Sequence, residues 1–159
     1  LLVVNTATGS IIAGHEALLG EVIILAAFIP LLIDAGGNIG SQSATVVIRG
    51  LATGEISHRR ALTITLREVW VGAVLGIILG AVVLLWAYLL GRNFHVAAVV
   101  SITLIVISAL ATLTGSALPF LFRLIKVDPA FVSAPLITTV MDVFGLLIYF
   151  LVARMLIRV

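Results

Sequence analysis

Cysteine is absent from the 159-residue chain. That excludes disulfide staples, thiolate metal sites and zinc held by Cys clusters. Charge is nearly absent too: only 10 % of residues are Asp, Glu, Lys or Arg, against roughly 25 % in an ordinary soluble domain. So few charges do not cover an aqueous surface. The formal net charge of +2 comes from a handful of loop arginines and gives no electrostatic footprint for nucleic acid. Only three histidines occur, none near another, and no Ser/His/Asp order suggests hydrolysis, so the chain reads as a non-enzyme.

What fills the chain is apolar: hydrophobic residues make up 62 % and the mean hydropathy is +1.34. This is an all-α integral membrane protein, because only helices or closed barrels satisfy their backbone in lipid. At about 20 to 25 residues per span, four or five helices use up the length and leave no room for a separate soluble domain. The hydropathy pattern places them at about 1–14 (a truncated first helix), 22–47, 69–91, 96–122 and 130–153. The chain opens inside an apolar run without an initiator Met or a basic leader, so it reads as part of a longer one.

Polar residues punctuate these spans. His15, Glu16 and Glu21 mark a turn or outer vestibule, with His15, His58 and His95 expected as solvated ends. Residues 50 to 68 form a polar linker or interfacial helix, with Ser57 a candidate N-cap. Gly72, Gly76 and Gly80, four apart, suit close approach by a neighbouring helix. The loops at 49–68 and 123–128 hold six basic residues against three on the other side (Arg92, Arg154 and Arg158), which favours a cytoplasmic N-terminus and an external C-terminus.

Two acidic residues lie deep within spans, Asp34 in the second and Asp142 in the fifth, each about 12 residues in and so near the midplane. No Lys or Arg shares that depth, so each carboxylate needs water, a proton or an imported cation. Asp34, Asn38, Ser41 or Gln42, and Thr45 follow helical spacing along one face, as do Thr138, Asp142, Gly145 and Tyr149. Such oxygen-rich faces suit hard divalent ions, Mg²⁺, Ca²⁺ or Mn²⁺. Pro30 and Pro135 are expected to free carbonyls by breaking the helix ladder. The bland alternatives are protonated, packed aspartates and amides that only glue helices together.

The run PLLIDAGGNIGSQS from Pro30 to Ser43, followed by RGLATGE from Arg49 to Glu55, resembles the signature of the MgtE family of magnesium channels and transporters. So do Asp128, Pro129 and Ala130 leading into SAPLITT from Ser133, then Asp142 and GLLIY from Gly145 to Tyr149. The resemblance covers the whole chain as a five-helix membrane domain. It implies a homodimer with an ion path along the dimer axis, lined by the second and fifth spans. It also implies that Asp142 is the central Mg²⁺-binding carboxylate, completed by Asn38 and by backbone oxygens around Gly37 and from Ala134 to Thr138. Ser41, Gln42, Thr45, Gly145 and Tyr149 are then expected to line the pore. Cytoplasmic N-terminal and paired CBS domains accompany this domain in many relatives, but neither lies within these residues. Asp34 departs from the family pattern, where a small or apolar residue is expected. Mg²⁺, with Mn²⁺, Ca²⁺ or Co²⁺ as further candidates, is the expected cargo of a channel in the cell membrane. The alternatives are a carrier coupled to Na⁺ or H⁺, as relatives in animals suggest, and a non-transporting assembly subunit, which the two buried-depth aspartates argue against.

Overall fold

The computed structural model describes residues 2 to 157, with the side chains of residues 21 and 131 to 133 outside that description. Arg158, counted above among the external basic residues, and the side chains of Glu21 and Ser133 therefore lie outside the described residues. The described chain is helical almost throughout: α1 (Leu2–Ala13), α2 (Glu16–Glu21), α3 (Ile24–Thr53), α4 (Ala61–Gly91), α5 (Phe94–Leu124) and α6 (Pro129–Leu156). Spans two to five of the sequence reading are α3 to α6.

Four of these helices are long and apolar enough to cross a bilayer. The apolar helix α1 has 12 residues, about 18 Å of rise against a hydrocarbon core of about 30 Å, so it does not cross by itself. Four spanning helices are thus present among the described residues, and α1 is the short apolar stretch expected as the end of a truncated first helix.

The helix ends follow local chemistry. Asn93 accepts from the backbone N–H groups of His95 and Val96, and Asp128 accepts from that of Ala130 with Pro129 in the first turn. Gly54, at φ 78°, closes α3 in the left-handed conformation that glycine adopts without Cβ strain. The boundaries correct two expectations. α3 runs on to Thr53 and α4 starts at Ala61, so the polar linker shrinks to a turn and the 3-10 segment His58–Arg60. Ser57 precedes that segment in extended backbone without capping it through its side chain. Helices α3 and α6 continue through Pro30 and Pro135, so each proline, with no N–H to donate, removes one rung and frees a carbonyl without ending the helix.

Helix α5 is the centre of the bundle. It packs against α3, α4 and α6, whereas α3 and α4 scarcely touch one another. Its polar residues Ser101, Thr103, Ser108, Thr112 and Ser116 are all buried. Most return their hydroxyls to their own helix, as Ser108 does to the Leu104 carbonyl (2.7 Å) and Ser116 to the Thr112 carbonyl (2.6 Å). Ser101 instead reaches across to the Gly80 carbonyl at 2.8 Å. Gly72, Gly76 and Gly80 of α4 are buried against it, the packing role expected for them. The opposite side of α4 exposes Trp70, Val74, Ile77, Val82 and Leu85, a surface suited to lipid.

A side chain at Gly76 has no room: its Cβ would lie 3.0 Å from Ile105 Cα and 2.9 Å from Ser108 Cβ. Gly76→Leu should therefore separate α4 from α5 and cost about 1–3 kcal/mol. Denaturant titration of the reconstituted protein measures this, with Ile77→Leu on the lipid side as the neutral control.

Candidate cation site

The site begins with glycine on α3. Gly36 lies against Met141 of α6 and Ile107 of α5, and a Cβ on Gly37 would meet Thr138 Cγ2 at 3.3 Å. Gly40 lies against Ile137 and, 3.1 Å from its would-be Cβ, the Ala111 carbonyl oxygen. At Gly115 of α5 a Cβ would fall on the backbone of Gly40 itself. α3 and α5 thus meet with backbone nearly touching backbone, an approach only glycine permits, and side chains of α6 pack into the same notch.

That contact fixes which side of α3 turns away. Leu32, Gly36, Ile39, Gly40, Ser43 and Val47 are buried, while Asp34, Asn38, Gln42 and Thr45 are exposed and Ser41 is half-buried. On α6 the buried edge is Ile137 and Met141, and beside it Thr138 is exposed and Asp142 half-buried. α3 and α6 run antiparallel through this contact, so Asp34, three residues before Gly37, and Asp142, four residues after Thr138, stand about one turn to the same side of it. The polar edges of α3 and α6 therefore flank the same crossing.

Below Asp34 on α3, Asn38, Ser41, Gln42, Thr45 and Val46 line an open hollow of ≈ 480 Å³. Thr45 donates its hydroxyl to the Ser41 carbonyl (2.8 Å), and Thr138 and Thr139 both donate to that of Pro135 (2.9 Å each). With their protons committed to their own helices, these hydroxyl oxygens present lone pairs outward. Carboxylate, amide and hydroxyl oxygens are donors for a hard cation or its water shell. Ala134 is exposed at the start of this face. Among the described residues there is no group of three or more His, Asp or Glu side chains that would strip and cage an ion.

Two expected lining residues face elsewhere. Gly145 is buried, with its would-be Cβ 3.5 Å from Ile107 Cδ1 of α5. Tyr149 is fully buried and donates its hydroxyl to the Leu25 carbonyl of α3 at 2.9 Å. The four positions stay within about 60° of one another around the helix, so it is the neighbours that differ: α5 covers this face at Gly145 and α3 covers it at Tyr149. His15 departs from expectation as well. It is half-buried, stacked on Phe150 with ring centroids 4.1 Å apart, and its Nδ1 is 2.8 Å from the Ile11 carbonyl oxygen.

One group escaped the sequence reading. Glu68, assigned there to the polar linker, sits inside α4 and accepts a hydrogen bond from the Ser43 hydroxyl at 2.9 Å. Its spacing, four residues before Gly72 on the packed face of α4, was the available signal.

Known sequences resemble this one over nearly its whole length. The profile of MgtE, a divalent cation transporter, matches residues 29–152. The chain belongs to the MgtE family. It is 43 % identical over 158 residues to the magnesium transporter MgtE of Thermus thermophilus, covering 99 % of this chain and 35 % of that protein. It is 38 % identical over 157 residues to that of Bacillus subtilis (96 % and 34 %). Identity to the protein from Enterococcus faecalis is 34 % over 158 residues (99 % and 35 %). The chain thus spans about a third of the length of the curated relatives it matches. With family and spanning helices together, it is a multi-pass membrane protein of a transporter family.

Because Tyr149 ties α6 to α3 well inside the bundle, Tyr149→Phe should cost about 1 kcal/mol of stability. Divalent cation binding should be unchanged. Thermal unfolding and an ion titration of the same preparation test both halves.

Proposed function

We propose that this domain carries Mg²⁺ across the membrane as a largely hydrated ion, along the polar edge formed by α3 and α6. The observation that carries this reading is the placement of Asp34 and Asp142 to one side of the Gly37–Thr138 contact, outside the buried edges of α3 and α6, with no basic residue nearby in either helix to neutralise them. Two unneutralised carboxylates in a low-dielectric layer repel each other and raise the affinity for a divalent cation. Asp142 is the principal ligand. Asn38, Thr138 and the backbone around Gly37 and Ala134 hold its water shell, and Ser41, Gln42 and Thr45 line the path beyond. Mg²⁺ gives up water reluctantly, so a sparse donor set fits it better than it fits a dehydrated ion. The relatives' description as magnesium transporters supports the choice of ion, with Mn²⁺, Ca²⁺ and Co²⁺ as competitors.

In a lone chain this polar edge would face lipid, which exposed carboxylates do not tolerate. A second copy placed across it would enclose the edge and double the carboxylates, so the working unit we propose is a homodimer with the path on its axis. The excess of basic residues in the 49–68 and 123–128 segments orients these toward the cytoplasm.

Asp142→Ala should abolish tight Mg²⁺ binding and most Mg²⁺ uptake into proteoliposomes; uptake at the parent rate would defeat the assignment. Asp34→Gly should weaken binding while leaving a measurable flux, and an unchanged isotherm would make Asp34 a bystander. A carboxylate pair also serves a proton, which keeps a coupled carrier as the second reading. Flux that needs an imposed Na⁺ or H⁺ gradient would favour that carrier over a channel.

A further inference from the structure

Helix α3 is gripped from one side, by α5 and α6, and on the other scarcely meets α4. The two are bridged where Ser43 donates to Glu68 Oε2 at 2.9 Å, the only hydrogen bond between two side chains among the described residues. Ser43 is buried, and the Thr112 carbonyl oxygen of α5 lies 3.4 Å from its Oγ. Glu68 is half-buried at a cavity of ≈ 160 Å³ that it shares with Gln42, Gly72 and Thr112. It is the one acidic residue of α4, at the edge of an otherwise apolar span. A carboxylate there is expensive to desolvate, and as an acceptor it makes a bond roughly twice as strong as a neutral group would.

The location gives the bond leverage. Gln42 lines this cavity and also the hollow beside Asn38. Ser43 is its neighbour in sequence, so about 100° of helix rotation separates the clamped residue from a residue of the polar edge. Releasing Ser43 frees α3 to roll about its glycine contacts, and such a roll carries Asn38 and Gln42 away from the path.

We infer that Glu68 is a positioning residue for ion passage: through Ser43 it holds α3 at the rotation that presents Asn38 and Gln42 to the cation. The inference rests on the ion path proposed above, and its test separates the two. The cysteine-free chain permits spin labels at Val46→Cys and Val71→Cys, which flank the cavity on α3 and α4. In lipid nanodiscs, Ser43→Ala and Glu68→Ala should each broaden the label-to-label distance distribution, while Glu68→Gln, whose amide oxygen still accepts from Ser43, should retain it. In label-free proteoliposomes, each alanine variant should lower maximal Mg²⁺ flux by about tenfold, the size expected for losing a bond to a charged group. The double variant should be no slower than either single one, and Glu68→Gln should restore most of the flux.

An unchanged distance distribution, effects that multiply in the double variant, or a Glu68→Gln protein as slow as Glu68→Ala would each overturn the clamp. A widened distribution with parental Mg²⁺ flux, where Asp142→Ala is inactive, would overturn the role in ion passage. If the distribution widens and neither Glu68→Ala nor Asp142→Ala alters flux, the clamp on α3 stands while the transport reading fails, and with it the role in ion passage.

Discussion

The close approach of α3 to α5 and α6 is the constraint on which the rest of the structure depends. At Gly36, Gly37, Gly40 and Gly115 the helices come together until a single added methyl would strike backbone or a branched side chain. Nothing in lipid pushes apolar helices together, so contacts of this density, with hydrogen bonds between helices, must supply the cohesion. Because they lie along one edge of α3, they also set its rotation, and the rotation decides which polar residues leave the core.

Two classes of polar residue result. Most of those facing inward are consumed by the scaffold: Ser108, Thr112 and Ser116 bond their own helix, Ser101 reaches Gly80, and Tyr149 reaches Leu25. Those turned out, from Asp34 to Thr45 and at Thr138 and Asp142, keep oxygen lone pairs directed away from the bundle. The contrast with α4 makes the second class stand out, since α4 is as exposed but presents Trp70, Ile77 and Leu85 instead. One surface is built for hydrocarbon. The other presents carboxylate, amide and hydroxyl oxygens.

Between these surfaces, α3 and α4 form the loose seam of the molecule. Dense packing fixes every other long-helix neighbour, whereas this pair relies on Ser43 and Glu68. A seam closed by one charged hydrogen bond opens more readily than one closed by interdigitated side chains.

The sequence by itself determined the membrane class, the four long spans, the packing role of Gly72, Gly76 and Gly80, and the family, whose motifs at Pro30–Ser43 and around Asp142 are local strings. Composition and spacing suffice for such features because hydropathy and helical period are properties of the segment alone. The face of α3 from Asp34 to Thr45 was legible for the same reason. Helical period could not say how far a face continues before a neighbouring helix covers it, which is why Gly145 and Tyr149 were placed on the wrong side of α6. Nor could it place Glu68 beside Ser43, 25 residues away, because that meeting depends on both helices docking against α5. The azimuth of each helix is a collective result of three-helix packing, so only the tertiary structure decided which oxygens turn away from the bundle and which hold the scaffold together.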